Sequence, residues 1–172
     1  MDVPRYLTGA LVAPLLLVAA CGGDDTSIAD PPISPGSPSS SPTTPQRESP
    51  EHFIRRWAEA EKTMENTGHV DEYLALSRGC LACRKLAIQI RGFYAAGGYV
   101  KWGGWQFISF KINSEDDRAT TYAVRNRSLP TTYKESSDGP TKRLKGGVTT
   151  ELLQVSRKGQ TWNLSSKAEL AS

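Results

Sequence analysis

Histidine, methionine and cysteine are all scarce in this chain of 172 residues: two, two and three. A zinc site built on Cys80 and Cys83 needs two further ligands, and the domain offers only His52 and His69, set apart at the two ends of one predicted helix. No metal and no cofactor is therefore expected. Neither histidine falls in a predicted strand, so a histidine–acid dyad deep in a sheet is not expected either. No glycine-rich turn is followed by Lys-Ser or Lys-Thr, which excludes a phosphate loop. No apolar run reaches the roughly 20 residues that span a bilayer as a helix. There is no internal repeat. Large apolar side chains almost vanish between residues 22 and 50, where seven prolines fall from Pro31 to Pro50. Proline fixes φ and lacks a donor, and nothing there is apolar enough to offset the entropy of ordering, so a disordered tether is expected.

The one long apolar run covers residues 6–20, fifteen residues broken by Pro14, after a weak basic start at Arg5. That is too short to cross a bilayer and reads as an export signal ending in small residues. It closes with Leu17-Val18-Ala19-Ala20-Cys21, which resembles a bacterial lipobox. The resemblance implies that Cys21 becomes the lipidated first residue of a protein held on the extracytoplasmic face of the cell membrane. Two or three acyl chains, each methylene contributing about 0.8 kcal/mol, hold firmly. The expected organisation is a signal peptide over 1–20, a lipidated Cys21 with a tether over 21–48, and one domain over 49–172. A flexible tether of that length spans about 30 Å r.m.s..

Charge divides along the same boundary: residues 21–50 carry a net −3 and residues 51–172 a net +6. Outside a membrane, a basic domain suits anionic envelope polymers, although the basic cluster Arg125, Arg127, Lys142, Arg143 and Lys145 reads first as a solvated face. Nucleic acid is excluded by the expected compartment.

Within the domain, Ser49-Pro50-Glu51 is a helix start, and Phe53, Trp57, Ala60 and Met64 make its apolar face opposite Arg55, Arg56, Glu59 and Lys62. Gly68 stops it. A short helix is expected from His69 or Val70 to Leu76. A third follows Cys80-Leu81-Ala82-Cys83, with Cys83, Leu86, Ala87, Ile90, Phe93 and Tyr94 buried, and ends at Gly97-Gly98. The period then changes to two. Strands are expected over 99–102, 105–113, 118–126, 148–157 and 160–168, with one more near 130–134 and a basic edge at 142–145. In the second of these, Ile108, Phe110 and Ile112 alternate with Ser109 and Lys111 as an apolar face.

Three helices followed by four to six antiparallel strands make an α+β domain, the helices packed on one face of a strongly curved sheet. This order, with the closing hairpin from Leu152 to Leu164 and its Gly159 turn before Trp162, resembles the cone-shaped fold of nuclear transport factor two and the polyketide-cyclase-like proteins. Residues 49–108 also resemble a family of uncharacterised lipoproteins of high-GC Gram-positive bacteria. The matching features are Phe53 and Trp57, Thr67-Gly68, Cys80-x-x-Cys83, Tyr94 before Gly97-Gly98, and Trp105. That resemblance implies a compartment and a fold but no activity; the fold resemblance also admits a homodimer through the open sheet.

Cys80 and Cys83 are expected to form a structural disulfide, since an exported chain meets an oxidising environment. A thioredoxin-like redox pair is the weaker alternative, because such motifs follow a strand and this one follows a helix. If the cone holds a ligand, its wall draws on Trp57, Tyr94, Trp105, Tyr122, Glu151 and Trp162. Glu151 itself is expected at an edge or in solvent, because bulges often break alternation; if alternation holds, it shares a face with Leu153 and Val155 and enters the cone. The function expected is a non-enzymatic accessory domain of the envelope that binds a small apolar ligand, a wall polymer or an envelope protein. The alternatives are a dehydratase, isomerase or cyclase using the cone pocket, and a redox protein.

Overall fold

A computed structural model describes residues 47–170, all within one compact unit. The signal segment, Cys21 and the tether up to residue 46 lie outside the described residues. The class is α+β. Helices α1 (Pro50–Thr67), α2 (Asp71–Leu76) and α3 (Leu81–Ala95) are followed by strands β1 (Tyr99–Trp102), β2 (Trp105–Glu115), β3 (Ala119–Ser128), β4 (Thr131–Lys134), β5 (Lys142–Leu144), β6 (Gly147–Lys158) and β7 (Thr161–Glu169). The strands exceed the expected four to six and divide into two antiparallel sheets, β2-β3-β6-β7 and β1-β4-β5. Lys142-Arg143-Leu144, read from sequence as a basic edge, is the added strand and pairs with β4.

Helix α1 begins as its residues dictate. The Ser49 hydroxyl accepts the His52 N–H at 3.2 Å, and Pro50 occupies a position whose N–H would have no partner. Glu48, which sequence assigns to the tether, belongs to the folded unit: Arg56 holds its carboxylate at 2.9 Å and the Trp162 indole N–H donates to its carbonyl at 2.9 Å. Phe53, Ile54, Trp57, Ala58, Ala60 and Met64 are buried along α1. They meet Val124, Leu153, Val155 and Leu164 from the four-stranded sheet, all fully buried. Inside this core the Trp57 indole N–H donates to the Ser77 hydroxyl at 2.9 Å.

Cys80 caps α3, its sulfur accepting the Cys83 N–H, and the two cysteines are joined in a disulfide. Both are buried, 2% and 0% exposed, so no thiolate attacking from solvent reaches either sulfur. The bond is a staple at the start of α3.

Strand β2 departs from the expected alternation. A bulge at Ile108 lets Phe107 and Phe110 share one face, their rings 5.1 Å apart beneath the Arg55 guanidinium. Ile108 is turned out, 50% exposed. Ile112, opposite Tyr122 on the sheet's free edge, is 59% exposed. Ile108 leaves the apolar face expected of it, while Ile112 shares a face with Tyr122 but lies uncovered at the edge.

The end of α1 is tied to the smaller sheet by an amide clasp. Asn66 donates through Nδ2 to the Trp102 carbonyl at 2.9 Å, and its Oδ1 accepts the Trp102 N–H at 2.8 Å, as a neighbouring strand would. Gly68 follows with φ 76°, and a Cβ there would lie 2.7 Å from the Tyr94 ring. Both the left-handed backbone and the close ring require glycine. Gly68→Ala is expected to destabilise the fold by about 1–3 kcal/mol, read from the chemical-denaturation midpoint at unchanged m-value.

Candidate functional site

Strand pairing decides which side chains face the helices. Val124 lies opposite Glu151, and Tyr122 opposite Leu153. Asn126, Val124 and Tyr122 thus share a face with Thr149, Glu151, Leu153 and Val155, because alternate residues of a strand point the same way. On β7 the pairing slips at Ser165: Leu164 lies opposite Val155 and Lys167 opposite Leu153. The slip turns Lys167 to the same face as Leu164, three residues earlier. Alternation holds through Glu151, which is therefore interior, its side chain 13% exposed. The edge or solvated position expected of it is corrected.

This face, α1, α3 and the smaller sheet line a cavity of about 540 Å³ that opens to solvent. Its apolar wall includes Ile90, Phe93, Val100, Trp102, Trp105 and Tyr133, and its polar wall Glu61, Glu65, Asn126, Glu151, Lys167 and Glu169. Glu61 stands on α1 four residues after Trp57, within the apolar stripe, and is 1% exposed. Its Oε1 accepts from Lys167 Nζ at 2.8 Å and from the Tyr73 hydroxyl at 3.3 Å. Lys167 Nζ also lies 3.9 Å from Glu151 Oε2 and 4.5 Å from the centre of the Trp105 ring. Three buried atoms on this wall find no partner within the protein: Glu61 Oε2, Asn126 Oδ1 and Trp105 Nε1.

Burial and crowding set the protonation states. Burial first, then the Glu61 charge, lifts the Glu65 carboxyl to about 7, with Lys167 opposing. Burial also raises Glu151; Lys167 opposes this, while Glu61 and Glu169 add to it. For Lys167, burial pulls downward, but Glu61 and Glu151 outweigh it and hold the ammonium above its ordinary value. Burial and the Glu61 charge push Tyr73 upward, so it stays neutral and donates. A permanently charged lysine is no nucleophile; the group whose proton moves near neutrality is Glu65. Among the described residues no three His, Cys, Asp or Glu side chains are grouped to hold a metal ion.

Of the wall residues expected from sequence, Trp105 and Glu151 line the cavity. Trp57 is wholly buried behind it, edge-on to Trp105 at 6.0 Å. Tyr94 spends its hydroxyl on the backbone of Glu65 and Val100. Tyr122 packs in the core, and Trp162 lines a separate groove beside Arg78 and Asn163. Sequence reasoning passed over Glu61, Glu65 and Lys167. The spacing Trp57, Glu61, Glu65 places both acids along the buried side of α1 and was a usable signal. Lys167 had none, because the slip at Ser165 reverses its face.

No family model and no curated protein matches the chain. Solved structures do. The intermembrane-space region of the chloroplast protein ARC6 superposes with a TM-score of 0.51 at 12% identity, over 71% of this chain and 94% of that one. An uncharacterised protein with a cystatin-like fold from Caulobacter vibrioides gives 0.43 at 8%, over 70% and 89%. Aln2 from a Streptomyces species gives 0.43 at 12%, over 72% and 93%. At 12% identity the likeness to the first of these is one of fold.

Glu65 sets a pH dependence of stability. Its folded value, about 7, exceeds its ordinary 4.5, so between them the native state holds more protons than the unfolded chain. Stability therefore falls as pH rises through that window. Urea midpoints measured across it should decline in the wild type, and Glu65→Gln should flatten the decline and be the more stable form above about pH 7.

Proposed function

We propose that this chain is a membrane-tethered binding domain of the cell envelope, whose interior cavity takes a small ligand of mixed polar and apolar character. One observation carries the reading: Glu61, Asn126 and Trp105 all line one cavity, and each keeps a buried polar atom (Oε2, Oδ1 and Nε1) that has no partner within the protein. Such groups cost free energy unless something satisfies them. A cavity of about 540 Å³ lies within the usual range for small-molecule sites, and its aromatic and aliphatic wall supplies the apolar half of the recognition. The lipobox resemblance at Cys21 and the proline-rich tether support the envelope location, and the family of uncharacterised lipoproteins remains the kinship proposed for the chain. A second reading, acid–base catalysis of the isomerase or dehydratase kind, is favoured by Glu65 alone, whose carboxyl exchanges its proton near neutral pH.

Two outcomes are expected. Native mass spectrometry of the full chain recovered from its envelope should show a small-molecule adduct that Thr149→Trp, which fills the cavity from β6, removes without loss of the folded circular-dichroism spectrum. An adduct of equal occupancy in the variant would end the reading. Metabolic labelling with an alkyne fatty acid should mark the wild type, and Cys21→Ser should lose the label and leave the membrane fraction.

A further inference from the structure

The cavity wall carries an imbalance of charge. Among its described residues, Glu61, Glu65, Glu151 and Glu169 supply four carboxyl groups, and Lys167 is the lone ammonium. Lys167 is already committed: it is bonded to Glu61 Oε1 and lies near Glu151. Its charge offsets one carboxylate, and with no second cation on this wall burial and the neighbouring acids raise Glu65 and Glu151 toward the neutral form. Asn126 and Glu61, each 1% exposed, present acceptors without donors. The Asn126 amide group reaches only the Val124 carbonyl, at 3.5 Å, and its buried oxygen accepts from no group of the protein.

These unpaired atoms call for a definite chemistry. Two acceptors and a surplus of carboxylate suit a group that donates several hydrogen bonds, accepts none and carries positive charge, which describes a protonated amine. Aromatic faces on the same wall, Trp102, Trp105 and Tyr133, suit a cation and the flat body that bears it. The Trp105 N–H asks for one acceptor elsewhere on the ligand. An anion would meet the carboxylates, and a hydrocarbon would leave all three atoms unsatisfied.

We infer that the cavity's ligand is an organic cation: a protonated primary amine on a flat apolar body that also carries an oxygen acceptor. This rests on the cavity being a binding site. The groups that face the amine are Glu61 and Glu65 from α1, Tyr73 from α2 behind Glu61, Glu151 from β6, and Lys167 and Glu169 from β7; α3 contributes the neutral Gln89. Lys167 stays charged and Tyr73 stays neutral, so a pH effect near neutrality comes from the carboxyls, chiefly Glu65. Raising the pH strips the Glu65 proton, adds negative charge and strengthens the hold on a cation. Binding at neutral pH accordingly expels protons from the site.

Tyramine, tyrosol and hydroxyphenylacetate share one phenol and differ in charge, and each can be titrated into the full chain by calorimetry. Tyramine is expected to bind roughly tenfold tighter than tyrosol, with the carboxylate weakest. Its affinity should rise several-fold from about pH 6 to about pH 8 as Glu65 loses its proton, and protons should appear in buffers of differing ionisation heat. Glu65→Gln should weaken tyramine roughly tenfold and flatten its pH dependence while leaving tyrosol unchanged. Equal binding of tyramine and tyrosol, or a preference for the carboxylate, would overturn the cation and leave the binding site standing. If no probe binds at millimolar concentration and Thr149→Trp changes nothing, the cavity is no binding site and both readings fall.

Discussion

One ion pair sits where the helices and the sheet meet. Glu61 of α1 and Lys167 of β7 are 2.8 Å apart, with side chains 1% and 17% exposed. Two charges taken so far out of water cost several kcal/mol each, and their attraction offsets this only when their other atoms are satisfied. Lys167 meets that condition through Glu151 and the face of Trp105. Glu61 meets it by half, since Tyr73 shares Oε1 while Oε2 is left over. The pair ties α1 to β7, and both its members lie on the cavity wall. Structure and site thus depend on the same carboxylate.

The apolar residues around the pair behave as a frame. Trp57 and Trp105 stand edge-to-face, Trp102 and Trp105 do likewise, and Phe107 continues the row. Lys167 lies against this row, so the ammonium is held by aromatic faces as well as by carboxylates. Basic residues on the outer face of β3, Arg125 and Arg127, are exposed, opposite in sign to the acid-rich interior. Sorting charge in this way leaves the domain basic overall while its cavity is not.

Much of the architecture was legible in the sequence because its signals are local. Ser49-Pro50 and Gly68 mark helix ends through capping chemistry, and the change of period after Gly98 marks the strands. The disulfide followed from spacing and expected compartment. What escaped depends on register. The bulge at Ile108 and the slip at Ser165 each insert one residue, and each reverses the faces of the residues that follow it, on β2 as far as a second shift after Ile112. Ile108 and Lys167 were therefore unreadable by alternation. Glu151 lay in an unbroken register and could have been placed with Leu153. Glu61 and Glu65 followed the helical spacing of the core and were overlooked because acids are seldom buried.

The staple at the head of α3 constrains the order in which the chain is made. Cys80 caps the helix and Cys83 forms part of its buried stripe, and once α3 is packed neither sulfur meets solvent. An oxidant reaches them most readily before that moment, and afterwards only when the head of α3 opens locally. The two sulfurs are joined most easily while the chain is still open, and a molecule that closed early would hold its thiols inside until it opened again. The bond therefore records the surroundings in which the domain folded.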